Sequence, residues 1–313
     1  MAAPSTEQTV NVSNGIPPPS FDLPYPETPE TITENLLKLG GTIPNTYVAA
    51  DHTECWLSTC TSTSKKRGTI TTEEWMNSIQ FLTQVGQTST PIRQEFILLS
   101  DVLGVSALVD LLNTPAIPGA TANSVLGPFH TDDAPLIENG ESIASEGRGK
   151  YLYIEGRVLD TDGNPVPDAL IETWQADETG LYDTQYADRD GPDLRGLLKT
   201  DKDGKYGYRA VVPEAYPIPG DGPVGELLVT LNRHNMRPAH IHITVDAPGY
   251  RKLTTALYPE GNVYLRSDCV FGVKESLVVK LVEVTDEKET RRRGFPKGNT
   301  FKLLTFDIVL VKQ

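Results

Sequence analysis

Apolar residues fall into two regimes along this chain. Up to about residue 115 they recur every three or four positions; beyond about residue 150 they alternate or come in short β-branched runs. The first spacing predicts helices and the second predicts strands. A short helix is expected over residues 30–39, closed by Gly40-Gly41. Thr71-Thr72-Glu73-Glu74 has the form of a capping box, and Trp75, Ile79, Leu82 and Val85 follow at helical spacing as an expected core stripe. Pro91 opens a second expected helix, which carries Phe96, Leu99, Val102, Leu103, Leu108 and Val109 and stops near Asn113-Thr114-Pro115. Residues 1–26 predict an arm without regular structure, and residues 42–68 show no helical period.

Strands are expected over 151–159, 169–174, 206–212, 240–245, 253–258, 276–284 and 301–311. Asp162-Gly163-Asn164-Pro165 and Asp201-Lys202-Asp203-Gly204 punctuate them as turns, and the basic run 288–297 reads as an exposed hairpin loop. Many short strands with such punctuation predict a β-sandwich. The fold class is therefore mainly β with an α-helical N-terminal part. Residues 1–128 form the arm and helical part, and residues 129–313 form the sandwich.

Composition changes this picture little. Apolar residues make up 38% and charged ones 22% of the 313, which is an ordinary globular balance. The formal net charge of −14 argues against nucleic-acid or anionic-membrane partners, both of which need a basic face. The first residues lack the basic and apolar regions of a signal peptide. With only Cys55, Cys60 and Cys269 in the chain, a reducing cytoplasmic setting is expected.

Candidate chemistry gathers on Arg237-Pro238-Ala239-His240-Ile241-His242-Ile243, which holds two of the five histidines. On a strand, His240 and His242 project to one face. That is half a metal site, or a pair of hydrogen-bonded histidines; the spacing alone leaves both open. Tyr182 follows a turn, and Tyr216 lies between prolines in a stiffened loop. Each is a ligand candidate or an aromatic that packs with its hydroxyl wet. His52, His130 and His234 find no partner in the sequence, and His234 reads as structural.

Taken in order, Gly180-x-Tyr182, Val212-Pro213-x-x-Tyr216 and Arg237-Pro238-Ala239-His240-x-His242 resemble the intradiol ring-cleavage dioxygenases. Leu126-Gly127-Pro128-Phe129, Ile171-Glu172-Thr173-Trp174-Gln175 and Ala247-Pro248-Gly249-Tyr250 fit the same family. The resemblance runs from about residue 71 to 311. Ser267-Asp268-Cys269-Val270-Phe271-Gly272-Val273-Lys274 and Leu98-Leu99-Ser100-Asp101-Val102-Leu103-Gly104 look most like the branch that opens hydroxyquinol (benzene-1,2,4-triol). The alternative is the catechol branch, from which this chain departs by carrying Ala256, where that branch has Gln, after Thr254-Thr255.

The resemblance implies one non-haem Fe(III) per chain, held by Tyr182, Tyr216, His240 and His242. Two hard phenolates favour ferric iron, whereas an Fe(II) oxygenase would show two histidines and a carboxylate. It implies that a vicinal diol or triol chelates the metal and displaces Tyr216, which then acts as a base, and that O2 attacks the ring. Arg237 is the implied partner of the ring's developing negative charge. Leu98, Asp101, Val102, Val125, Gly127, Pro128, Phe129, Ile218, Pro219 and Val270 are the implied substrate pocket. Asp101, on an otherwise apolar stretch, is the expected acceptor for the third hydroxyl. The resemblance also implies a homodimer through the helical part, with a lipid at that interface in some members. An H-x-H enzyme using Fe(II) or zinc and a non-catalytic sandwich module are the competing classes.

Overall fold

The structure, a computed structural model, describes residues 12–40, 71–90, 93–145, 147–188 and 191–313. Residues 12–26 run without helix or strand. Helices α1 (Pro29–Gly40), α2 (Thr72–Thr88), α3 (Glu95–Val102) and α4 (Val105–Asn113) precede the sheets. Thr71 caps α2 as expected: its hydroxyl accepts from the Glu74 amide at 3.2 Å, and the Glu74 carboxylate reaches back to the Thr71 amide at 2.7 Å.

Two five-stranded sheets pack face to face. The first centres on β1 (Tyr151–Asp160), antiparallel to β4 (Lys205–Val211) on one side. Its other edge is shared by β11 (Phe301–Thr305), which also pairs β10 (Val282–Val284), and β12 (Ile308–Leu310). The second sheet runs β3 (Arg195–Lys199), β2 (Leu170–Gln175), β7 (Ile241–Asp246), β8 (Leu253–Pro259) and β9 (Val278–Val279). Between them lies a core that includes Leu152, Ile154, Ile171, Ile241, Ile243, Val245 and Leu304. The alternation of β7 thus sends its isoleucines inward and His242 to the opposite face. Outside the two sheets lie the short pair β5 (Tyr216–Pro217) and β6 (Met236–Arg237), helix α5 (Pro223–Thr230) packed on α2 and α3, and a cluster joining Leu99, Val102, Ile218, Leu228 and Val270.

Several expectations are corrected. The second helix begins at Glu95, with Pro91 outside the described residues, and breaks at Gly104. A Cβ on Gly104 would meet Ile32 Cγ2 at 2.7 Å, and its φ of +71° favours glycine. Trp75 and Ile79 are not core; both are exposed, and only Val85 of that stripe is fully buried. The run 288–297 is no hairpin loop: it opens with helix α6 (Glu287–Arg292), capped by Asp286. Glu287–Arg291 and Glu289–Arg292 pairs, with acid in the first turn and base in the last, make that segment helical. Strand 276–284 is a 3₁₀ turn followed by β9 and β10. Strand 301–311 breaks after Thr305, where the Phe306 carbonyl occupies the space that a Cβ on Gly156 would need. Strand β3 and helix α5, which starts with Pro223 at its first turn, escaped the pattern. Cys269 is buried and free, while Cys55, Cys60, His52 and the 42–68 segment lie outside the described residues. No described helix is long and apolar enough to cross a membrane.

Candidate metal centre

Four side chains from three segments meet at one point. Tyr182 Oη lies 3.4 Å from Tyr216 Oη and 3.3 Å from His240 Nε2. Tyr216 Oη is 3.4 Å from His240 Nε2, which is 3.1 Å from His242 Nε2. All four residues are buried. His240 sits one residue before β7, not within it as expected, yet its ring nitrogen still joins that of His242.

Each donor is aimed by its local sequence. The Asp177 carboxylate accepts from the Thr179 and Leu181 amides at 2.8 and 3.1 Å, closing the turn that presents Tyr182. Gly180 lets that turn touch the second tyrosine loop: a Cβ there would meet the Ala215 carbonyl at 2.9 Å. Tyr182 stacks on Phe129 at 4.4 Å and meets Tyr216 edge-on at 5.4 Å. Beneath it, buried Arg195 pairs with Asp183. His242 lies flat on Trp174, at 4.7 Å between centroids, and Ala256 is the residue opposite it on β8.

Protonation states suit a cation. His240 Nδ1 is 2.8 Å from the Pro238 carbonyl, which only accepts, so Nδ1 carries the proton and Nε2 faces inward as a lone pair. Burial first, then the Arg237 charge, holds both imidazoles well below their usual pKa and keeps them neutral. Burial also pushes Tyr182 well above its ordinary value, reinforced by Tyr216, and raises Tyr216 against the pull of Arg237. Phenolates here need a positive charge among them. Donor separations of 3.1–3.4 Å also match ligands about 2.1 Å from a shared first-row ion. Gly127, whose φ of +75° favours glycine, leaves space beside His242, where a Cβ would lie 3.4 Å from Nε2. Among the described residues, no three His, Cys, Asp or Glu side chains are placed to hold a metal. Phenol and imidazole are therefore the donors on offer.

Arg237 is no surface residue. Its Nε and Nη2 bind the two Asp268 oxygens at 3.2 and 3.3 Å, and both residues are buried. That leaves Nη1 pointing at Tyr216 Oη (3.4 Å) and His240 Nε2 (3.2 Å). Burial alone would lower the Arg237 pKa; the negative charge of Asp268 and the nearby tyrosines outweigh it, and the shift is upward. Asp268 is a site residue that sequence reading missed. It was visible as the one carboxylate in the 267–274 motif. Gly272 gives it room, because a Cβ there would sit 3.0 Å from Arg237 Nη2 and 3.2 Å from Asp268 Oδ2.

Of the expected pocket, Leu98, Val102, Val125, Ile218 and Val270 share one apolar cluster. Phe129 and Gly127 stand beside Tyr182 and His242, Pro219 is half-buried and Pro128 is exposed. Asp101 is half-buried within reach of the Arg237 charge. Burial raises its pKa, opposed by the Ser106 hydroxyl and by Arg237. His130 and His234 do have partners. His130 meets Glu172 at 3.0 Å, with its ring edge on Trp174. His234 is 2.9 Å from the Ser267 hydroxyl and accepts from the Met236 amide at 3.1 Å.

Two tyrosines, two histidines and a braced arginine on a β-sandwich define a candidate metal site, and known proteins give its class. Residues 125–312 match the family described as "Dioxygenase", and residues 66–121 match "Catechol dioxygenase N terminus". An intradiol ring-cleavage dioxygenase of Aspergillus niger is 42% identical over 95% of this chain and 87% of its own length. A hydroxyquinol 1,2-dioxygenase of Rhizobium sp. is 48% identical over 77% of this chain and 82% of its own. The crystal structure of hydroxyquinol 1,2-dioxygenase from Pseudomonas putida superposes with a TM-score of 0.75 at 38% identity, covering 91% of this chain and 98% of that one. The chain belongs to the intradiol ring-cleavage dioxygenases, enzymes that work with non-haem iron.

Proposed function

We propose that this enzyme opens hydroxyquinol with O2 between its two vicinal hydroxylated carbons. Both oxygen atoms enter the product, 3-hydroxy-cis,cis-muconate, which is the enol form of maleylacetate. The observation that carries the reading is the convergence of two phenol oxygens and two imidazole nitrogens within 3.1–3.4 Å of their neighbours. Tyr182, Tyr216, His240 and His242 are the proposed holders of one Fe(III). The chemistry ferric iron would supply there is Lewis-acid and one-electron activation of the vicinal diol toward O2.

The chain's own groups do the rest. Tyr216, as a phenolate, would take a substrate proton at Oη. Tyr182, with its ring clamped between Phe129 and Tyr216, keeps its place. Arg237 Nη1 faces the charge that builds on the ring, held there by Asp268 before the reaction begins. The apolar cluster of Leu98, Val102, Val125, Ile218 and Val270 accepts a flat ring and excludes water. Asp101 is proposed to accept from the third hydroxyl, at a place where catechol has only a C–H.

The test is to add hydroxyquinol, then catechol, to iron-loaded protein without oxygen. The phenolate-to-iron colour should shift with substrate, and on admitting air hydroxyquinol should be cleaved faster. A colourless protein would overturn the ligand set, and faster turnover of catechol would overturn the substrate. Asp101→Ala is expected to lower the hydroxyquinol-to-catechol ratio of kcat/KM on the order of 10-fold, the worth of one hydrogen bond to a charged acceptor. An unchanged ratio would reject that role.

The division into a helical part to residue 128 and a catalytic sandwich from 129 is part of this reading. Trp75, Met76 and Ile79 on α2, Phe96 and Ile97 on α3, and Val109 and Leu112 on α4 are exposed apolar residues. They support a homodimer through the helices, with a lipid as a further occupant of that interface. Sedimentation should return a two-chain mass, and charged residues at Trp75 and Phe96 should return one chain. A single-chain mass for the parent protein would remove the dimer.

A further inference from the structure

The pair that brings Tyr216 beside Arg237 is very short. Strands β5 and β6 share two residue pairs, Tyr216 with Arg237 and Pro217 with Met236. Pro217 offers no N–H, and Pro219 ends the ladder. Its next rung is made by Asn235, which is fully buried. The Asn235 carbonyl accepts from the Ile218 amide at 2.8 Å, and its side-chain Nδ2 donates to the Ile218 carbonyl at 2.9 Å. A side chain thus does the work of a missing backbone donor.

That side chain is itself held by the N-terminal arm. Asn235 Nδ2 also donates to the Val12 carbonyl at 3.0 Å, and its Oδ1 accepts from the Asn14 amide at 3.0 Å. Asn14 Nδ2 returns a bond to the Arg233 carbonyl at 2.9 Å, and Asn14 Oδ1 accepts from the Ile16 amide at 3.1 Å, which fixes its rotamer. Beyond this clasp the arm lifts away. A cavity of about 270 Å³ lies between residues 16–21 and the loop of Asn232, Arg233 and His234. The arm touches down again at Leu23, which is buried, and at Tyr25, which packs under the Arg266 guanidinium. The hydrogen bonds at 12–14, not packing, secure its first half.

We propose that residues 12–16 act as a positioning strap, setting through Asn235 the distance between Tyr216 and Arg237. The strap touches neither substrate nor metal. Its role in turnover rests on the function proposed above. Its effect on the ladder does not.

The test uses full-length N14A and N235A, with Tyr25→Leu as a control that loosens the arm only at its other end. In the metal-free variants, amide exchange over 216–218 and 235–237 should quicken roughly fivefold or more. In the iron-loaded variants the phenolate-to-iron band should shift, and kcat should fall roughly fivefold with KM little changed. N14A/N235A should be no worse than N235A, because the Asn14 side chain only fixes the arm whose Asn14 amide and Val12 carbonyl reach the ladder through the Asn235 side chain. Tyr25→Leu should lower thermal stability while leaving the band and kcat in place. N14A removes the part-buried bonds of its side chain to the Arg233 carbonyl and the Ile16 amide, keeps its own amide on Asn235 Oδ1, and should fold even if N235A is too destabilised to purify. Unchanged exchange in N14A would overturn the strap, and faster exchange with an unmoved band would overturn its positioning role. A parent protein without ring-cleaving activity would sink the proposed function, while the exchange data would still judge the strap.

Discussion

Tyr182→Phe is expected to abolish ring cleavage while leaving the metal-free fold intact. Loss of a group that merely orients a metal ligand costs 10–100-fold, so loss of a ligand should cost roughly 10³-fold or more. The iron-loaded variant should also lose much of its phenolate-to-iron absorption. The fold survives because the ring, not the hydroxyl, does the packing: Phe129 at 4.4 Å and Tyr216 at 5.4 Å keep their contacts with a phenylalanine. The hydroxyl makes only long contacts, 3.3 and 3.4 Å, and burial already opposes its ionisation. The melting temperature of metal-free protein should therefore move by no more than about 2 °C. The extra stability conferred by iron should shrink, since a ligand stabilises only in proportion to its affinity. A variant that keeps both colour and rate would remove Tyr182 from the metal.

Arg237→Gln should separate rate from stability. Removing the guanidinium takes away a fixed cation beside the reacting ring, a loss of about 10²–10³ in kcat. It also strands Asp268, which is buried and otherwise held by the Gly272 amide at 3.0 Å and, more weakly, the Val270 amide at 3.4 Å. An uncompensated buried carboxylate costs about 3–5 kcal/mol of stability. The double variant Arg237→Gln/Asp268→Asn removes both charges and should regain most of that loss, because a neutral amide pair no longer strands a charge. Its kcat should stay low. Chemical denaturation and steady-state rates on the three proteins decide it: recovery of rate in the double variant would show that Arg237 acts only through the fold.

Periodicity alone located the helical region, most strands and the face of β7 that carries His242, since burial of one face writes its period into the chain. It failed where burial was decided by something else. Trp75 and Ile79 have core spacing but stand exposed, because periodicity records an apolar face and not what covers it. The run 288–297 reads as a loop although helix α6 opens it, because a helix held by charge pairs and a cap carries no apolar period. The two-residue strands β5 and β6 are too short for any pattern.

By itself the sequence determined which donor types are present and that His240 and His242 share a side, because alternation along an extended chain is a local property. Resemblance to a family added the tyrosines and Arg237. Only the tertiary structure brings Tyr182, 58 positions from His240, to 3.3 Å from it. That meeting depends on Gly180, where a missing Cβ lets the Tyr182 turn approach the Ala215 backbone. It likewise paired Arg237 with Asp268 across 31 positions and tied Asn14 to Arg233 across 219. Such contacts between distant segments leave no period in a sequence, because they are set by how separate elements pack and not by the geometry of any one of them.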